Sequence, residues 1–293
     1  MDGGVTLEGK AVVVTGAGRG LGRAYAVAAA ERGASVVVND VDADEAHEVA
    51  DAIVAAHGVA VAHPADVADP MAAEAVVARC VAEFGTVDGL VNNAGYGMID
   101  AAAPEDQDPA ELRRVVEVNV LGSAYCGIAA LRHMVRQGTG SVVNDASVAF
   151  AGAPRLAAYS ASKGATASLT LSWAADLAGR GVRVNAVSPM AVTRSWDWDL
   201  VPDPAAIGDP GRLSPEDNTG LVVYLLSDAA AGVHGQLFAL RAGNLNVVSH
   251  AGAVQPTLVR ERWTPEEVAA AVDGELRPVL QLPGLRPVRI TAG

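Results

Sequence analysis

Lysine is nearly missing from this 293-residue chain: of 21 basic residues, 19 are Arg and two are Lys, at positions 10 and 163. Aromatic residues make up only 4%. No block of basic residues occurs, and the net charge is −13. Proteins that hold nucleic acid normally present a basic face, so neither nucleic acid nor an anionic membrane surface is an expected partner. Polar, Gly and Pro residues break every apolar run well short of the ~18 residues needed to span a bilayer. The start, Met1-Asp2-Gly3-Gly4, lacks the basic and apolar character of a secretion signal. The two cysteines, Cys80 and Cys126, lack metal-ligand spacing, as do His133, His234 and His250, so no metal is expected. A reduced, cytoplasmic setting follows as the default. Where Arg serves as the general cation, a retained Lys suggests chemistry that Arg cannot do; the plain alternative is a surface charge.

What the chain does have is a strict alternation. Short Val-rich runs at 11–14, 35–38, 59–62, 87–91, 141–144, 182–187 and 236–240 read as strands. Ala-rich segments at 20–32, 43–56, 70–84, 110–136 and 157–178 read as helices, several stopping at Gly. Ser214-Pro215-Glu216-Asp217 has the pattern of a capped helix start. Strands apolar on both faces, alternating with helices, predict an α/β fold with a doubly wound parallel sheet of about seven strands, Rossmann-type. Composition shifts near Gly243. Residues 1–243 are expected to form one nucleotide-binding and catalytic domain. Residues 244–293 read as an extension packed on that domain or on a neighbouring subunit, with one capped helix after Thr264.

The first strand runs into Thr15-Gly16-Ala17-Gly18-Arg19-Gly20-Leu21-Gly22. Glycines at 16, 20 and 22 permit a tight turn and close approach of the backbone to a pyrophosphate at a helix N-terminus. A Gly-rich turn without ligand is the alternative. Asp40 ends the second strand, 24 residues after Gly16, where a carboxylate can accept both ribose hydroxyl protons and repel a 2′-phosphate. This favours NAD over NADP. Arg19 argues the other way, because a cation in the loop can touch a phosphate. Asp40 can also be read as a helix cap. Asp66-Val67 follows the third strand, where the carboxylate either meets the adenine amino group or forms a turn.

Tyr159 and Lys163 are four residues apart on one helix face. A nearby ammonium stabilises a phenolate, which lets a tyrosine act as acid or base on a carbinol or carbonyl oxygen. Lysine, a compact point charge with several donors, suits this task better than Arg. The alternative is an amphipathic helix with a half-buried Tyr. Taken together, Thr15–Gly22, Asn92-Asn93-Ala94-Gly95, Ser147, Tyr159 with Lys163, and Ser188-Pro189 resemble the short-chain dehydrogenases/reductases, over about residues 7–243.

That resemblance implies roles. Gly16, Arg19, Gly20, Leu21 and Gly22 cradle the dinucleotide, with Asp40, Asp66 and Val67 at the adenosine. Asn92, Asn93, Ala94 and Gly95 support the central sheet and line the adenosine side. Asn119 holds a water for proton relay, and Ser147 orients the substrate oxygen. Tyr159 is the acid/base. Lys163 binds the nicotinamide ribose and makes Tyr159 more acidic. Pro189 and Thr193 sit at the nicotinamide carboxamide. Relatives form homodimers or homotetramers through helices equivalent to 110–136 and 157–178.

Three departures stand out. Ser147 precedes Tyr159 by 12 residues, one fewer than usual in the family. Asp145-Ala146 stands where Ser-Ser is common, and Asp145 reads either as a solvent-facing turn residue or as an added charge near the site. Met190 replaces a common Gly. Ser195-Trp196-Asp197-Trp198-Asp199 falls in a variable lid region, where the two Trp either close over a ring-bearing substrate or pack the lid on its own body. Residues 235–243 and Trp263–Glu267 resemble bacterial relatives of (3R)-hydroxyacyl-CoA dehydrogenases. The expected activity is NAD(P)-dependent interconversion of a secondary alcohol and a ketone. The substrate is a 3-hydroxyacyl thioester or a polyketide-like or cyclic ketone. The alternative is a catalytically weak NAD-binding sensor or assembly protein on the same fold.

Overall fold

The computed structural model describes residues 4–97, 101–191, 213–250 and 253–280. Eight strands form one sheet: β1 (Ala11–Val14), β2 (Ser35–Val38), β3 (Val59–Ala62), β4 (Gly89–Asn92), β5 (Gly140–Asp145), β6 (Val182–Pro189), β7 (Leu237–Arg241) and β8 (Asn244–Val247). Their spatial order is β3-β2-β1-β4-β5-β6-β7-β8. The first seven run parallel, and β8 returns antiparallel to β7.

Alternation along β1 explains the layers. Val12 and Val14 face one core, with Ala26, Ala29, Val49, Ile53, Leu221 and Leu225. Ala11 and Val13 face the other, with Val76, Val77, Cys126, Met134 and Leu177. Helices α1 (Gly20–Glu31), α2 (Ala43–Ala55) and α7 (Thr219–Leu226) therefore cover the first face. Helices α3 (Pro70–Phe84), α5 (Ser123–Gln137) and α6 (Ala157–Leu177) cover the second. Helix ends follow local chemistry. Asp42 and Asp69 cap α2 and α3 by accepting from backbone N–H groups, and Gly85 closes α3 at φ 79°. A capping box, Ser214 with Asp217, opens the turn that leads into α7.

The segment expected as one helix over 110–136 has a defect in its middle. Helix α4 (Pro109–Val115) continues through a π-helical stretch, Val116–Gly122, into α5. A π-bulge inserts a residue into the helical ladder and often marks a functional site; this one contains Asn119. The eighth strand goes beyond the seven expected. Ala242 and Gly243, at φ 45° and 80°, form the two-residue turn between β7 and β8. Positive φ at both central residues is the signature of a type I′ hairpin turn. Asn-Gly would have signalled it, and Ala-Gly does not. Helix α8 (Pro265–Ala271) begins at the expected Thr264/Glu267 capping box.

The chain order reverses between β1 and β4, which opens a crevice at the carboxyl ends of those strands. Beneath it runs a buried amide ladder. Asn92 Nδ2 donates to Asn144 Oδ1 (2.9 Å) and to the Ser123 carbonyl (3.0 Å), and Asn144 Nδ2 donates to Thr170 Oγ1 (2.9 Å). Asn144→Leu would remove two of these bonds and strand their partners, at a cost of about 2–4 kcal/mol. Chemical denaturation should show a lower midpoint with an unchanged slope; an unaltered midpoint would mean that the ladder contributes nothing.

Candidate active site

Gly16, in the loop between β1 and α1, and Gly22, in the first turn of α1, have no room for a side chain. A Cβ on Gly16 would lie 2.7 Å from Ala94 Cα, and one on Gly22 would lie 2.1 Å from the Gly16 carbonyl oxygen. Gly16 and Gly20 also hold positive φ, 61° and 55°. The loop is braced from β4. Asn93 Nδ2 donates to the carbonyls of Thr15 and Gly16, both at 2.9 Å, while Thr15 Oγ1 accepts from the N–H groups of Asn93 and Ala94. Arg19 occupies the N-cap of α1 without a side-chain hydrogen bond to the helix. The first turn of α1, which includes Leu21, therefore keeps N–H groups that no capping side chain takes. A tight glycine cradle at an uncapped helix N-terminus fits a pyrophosphate.

Asp40 is buried and does not cap α2, a role that Asp42 takes. Its Oδ2 accepts from Gly18 N–H (2.9 Å) and its Oδ1 from Asp42 N–H (3.1 Å). The carboxylate is thus fixed beside the glycine loop. Arg19 is engaged too: its guanidinium makes a forked contact with both oxygens of Glu45 in α2, at 3.2 and 3.1 Å. Sequence reading missed Glu45, which sits 26 residues from its partner. Asp66 is exposed and its Oδ1 accepts from Ala68 N–H (2.9 Å), which is the turn-forming geometry. Val67 is buried, and packs so closely on Gly122 that a Cβ there would lie 2.7 Å from Val67 Cγ2.

Asn119 ties the two halves of the site together. Its Oδ1 accepts from Tyr96 N–H (2.7 Å), and its Nδ2 donates to the Tyr96 carbonyl and to Ser162 Oγ, both at 3.0 Å. Ser162 Oγ in turn donates to the Tyr159 carbonyl (2.8 Å). The π-helical stretch thereby grips the turn of α6 that carries Tyr159 and Lys163. A Cβ on Gly95 would stand 3.0 Å from Asn119 Oδ1, so Gly95 keeps that amide in place.

Tyr159 is half-buried, and the Lys163 ammonium lies 5.7 Å from its ring centre. Lys163 is 6% exposed. Its Nζ donates to the Asp145 carbonyl oxygen (2.7 Å) and pairs with Asp145 Oδ1 (3.3 Å). Asp145 is therefore not a solvent-facing turn residue: it ends β5 with its carboxylate turned onto the lysine. Burial pulls the Lys163 ammonium down. Asp145 and Tyr159 pull harder the other way and leave it above the ordinary lysine value. Burial pushes the Asp145 carboxyl up, partly offset by Lys163. Lys10, by contrast, pairs with the exposed Asp228 (2.7 Å).

Ser147 lies at the start of a short turn, Val148–Ala151, where its Oγ accepts from Ala149 N–H (3.1 Å). The next N–H, of Val148, donates to Ser188 Oγ on β6 (2.9 Å). Pro189 ends β6, and the backbone of Met190 is bracketed by Asn218, which accepts from its N–H (3.3 Å) and donates to its carbonyl (3.1 Å). Thr193, Trp196 and Trp198 lie outside the described residues. A narrow cleft adjoins Tyr159, lined by Gly97, Glu111, Leu112, Arg155 and Leu156. A larger open groove is lined by Val259–Arg262 and Glu267, with none of the side chains above.

A parallel sheet with a glycine cradle at its switch point, and a Tyr/Lys pair on the helix after β5, defines a dinucleotide-dependent oxidoreductase. Residues 10–203 match the family model described as short chain dehydrogenase. The chain is 41% identical over 241 residues to cis-4-hydroxycyclohexanecarboxylate dehydrogenase of Sinomonas cyclohexanicum, covering 80% of this chain and 96% of that one. It is 38% identical over 251 residues to 2-(S)-hydroxypropyl-CoM dehydrogenase 3 of Xanthobacter autotrophicus, covering 81% and 97%. The crystal structure of a short chain dehydrogenase from Mycobacterium avium superposes with a TM-score of 0.83 at 33% identity, covering 95% of this chain and 98% of that one. Two further similar structures hold cofactor. A 3-ketoacyl-(acyl-carrier-protein) reductase from Brucella melitensis is complexed with NADH (TM-score 0.74, 33% identity, 81% and 99% covered). A gluconate 5-dehydrogenase from Burkholderia cenocepacia is complexed with NADP (TM-score 0.74, 30% identity, 82% and 96% covered). The chain belongs to the short-chain dehydrogenase/reductase family of oxidoreductases.

Proposed function

We propose that this protein is an NAD-linked dehydrogenase that interconverts a ring-borne secondary alcohol and its ketone, with Tyr159 as the proton-transfer group. The observation that carries the reading is the buried Lys163 ammonium, 5.7 Å from the ring centre of a half-buried tyrosine beside a cleft. A nicotinamide dinucleotide, when bound, supplies the acceptor or donor of the hydride. The protein does the rest. Gly16, Gly20, Leu21 and Gly22 would hold the pyrophosphate, and Asp40 the adenosine ribose. Lys163 would reach the nicotinamide ribose. In alcohol oxidation the phenolate oxygen of Tyr159 takes the carbinol proton; in ketone reduction the hydroxyl returns it to the carbonyl oxygen. Ser147 orients that oxygen, in keeping with the family resemblance. The ring-borne substrate is proposed because the relative 41% identical to this chain is named for a hydroxycyclohexanecarboxylate.

A panel of cyclic secondary alcohols and 3-hydroxyacyl thioesters, followed by NADH absorbance, tests the reading. Turnover of a cyclic alcohol is expected. Turnover of thioesters alone would replace the substrate class with that of the (3R)-hydroxyacyl-CoA dehydrogenases. NADH binding without turnover on any compound would favour the sensor reading.

The preference for NAD rests on two carboxylates. Asp40 is held beside the glycine loop, where its charge would repel a 2′-phosphate on the adenosine ribose, and Glu45 occupies Arg19, the loop cation that such a phosphate would seek. Glu45→Gln would free Arg19 and remove one negative charge. The ratio of kcat/KM for NAD to that for NADP should fall about tenfold, or ~1.4 kcal/mol of discrimination. An unchanged ratio would show that the Arg19–Glu45 pair plays no part in cofactor choice.

A further inference from the structure

Asp145 is a charge that the reaction itself does not require. It sits at the end of β5, 18 residues before its partner in sequence, and it is shielded from water. The side chains of Lys163 and Asp145 are 8% and 11% exposed. Two separate atoms of residue 145 reach the same ammonium: the main-chain oxygen at 2.7 Å and Oδ1 at 3.3 Å. The main-chain contact alone would orient Lys163, and any residue at 145 would provide it. The carboxylate therefore adds charge, not merely a tether.

We propose that Asp145 is a positioning residue for the catalytic pair: its carboxylate pins the Lys163 ammonium against β5 and tempers the positive charge that Lys163 presents to Tyr159. This rests on the reading of Tyr159 as the proton-transfer group. The physics is that of a three-body arrangement. An ammonium with no counter-charge favours a neighbouring phenolate strongly. With an anion 3.3 Å from that ammonium, the phenolate feels less than the full positive charge. Among the described residues, the titratable groups coupled electrostatically to the pair are Tyr159 on α6 and Tyr25 on α1. Tyr25 is fully buried with its hydroxyl unpartnered, and burial, followed by Asp145, holds that phenol well above the ordinary tyrosine range. Tyr25 thus stays neutral, and the carboxylate that contacts Lys163 is that of Asp145.

The test is Asp145→Asn, which keeps the main-chain contact and the side-chain shape while deleting the charge. The ascending limb of kcat against pH for alcohol oxidation should move to lower pH by about one unit. A second readout needs no cofactor. In the apo protein, the tyrosinate absorbance that disappears in Tyr159→Phe should develop about one unit lower in Asp145→Asn than in the parent. Asp145→Ser serves as the backup variant and should shift both curves in the same direction. If both variants fold, as judged by thermal melts, and neither curve moves, Asp145 is only structural and the proposal is overturned. A shift to higher pH overturns it as well. Failure of the Tyr159 reading looks different: Tyr159→Phe would then keep its activity, whatever Asp145 does.

Discussion

Tyr159→Phe should lower turnover by ~1,000-fold or more, within the range for loss of a positioned acid/base, while the fold and NADH affinity stay near those of the parent. The substitution removes one oxygen. The ring keeps its place because Tyr159 is held through its backbone: its carbonyl accepts from Ser162 Oγ, which is itself gripped by Asn119. The Lys163–Asp145 pair, anchored on β5, does not depend on the phenol oxygen. Binding and chemistry should therefore separate cleanly. Initial rates on the best cyclic alcohol, beside a fluorescence titration with NADH, measure both. Retained turnover would remove Tyr159 from the mechanism; a parallel loss of NADH affinity would mean that the tyrosine supports the cofactor rather than the proton transfer.

Gly22→Ala is expected to be nearly as damaging for a purely steric reason. In an ordinary helix this change stabilises by about 1 kcal/mol, and Gly22 lies in the first turn of α1. Here the close approach wins. The new Cβ would sit 2.1 Å from the Gly16 carbonyl oxygen and 2.4 Å from Asn93 Nδ2. Neither is the loose end of a flexible side chain: one is backbone of the cradle, and the other is the amide that braces it. The loop must move, which costs about 1–3 kcal/mol of stability, as overpacking does. If the pyrophosphate contacts lose a comparable amount, about 1–3 kcal/mol, NADH binding should weaken by about 10- to 100-fold. Gly232→Ala, with nothing within 4 Å of the added Cβ, is the control and should leave both properties intact. Tight NADH binding by the Gly22 variant would show that the loop is not the cofactor cradle.

The parts of this molecule that were legible in the sequence are those governed by near neighbours along the chain. Pro70–Phe84 coincides with its expected helix because Asp69, Pro70 and Gly85 are local stop and start signals. Strands β1, β2 and β3 coincide because their short apolar runs, of three or four residues, are bounded by turns and loops. The Tyr159/Lys163 pair needs only the pitch of a helix to be seen. Where the expectation fell short, the missing information was not local. The edge strand β8 carries only alternate half-burial and two asparagines, and its turn uses Ala242 where Asn would have announced it. The π-helical stretch around Asn119 has no composition of its own; it is held by Tyr96, 23 residues back, and Ser162, 43 residues ahead.

Periodicity and spacings of a few residues are enough to give the alternation of strand and helix, the glycine cradle, and a tyrosine with its lysine on one helical face. What those groups touch follows from the folded arrangement. Arg19 meets Glu45, Asp40 meets Gly18, and the lysine that stood out in an arginine-rich chain meets Asp145. The reason is geometric: which side chain faces which across the sheet and its helices is set by strand register and helix packing, and no single stretch of chain contains that information.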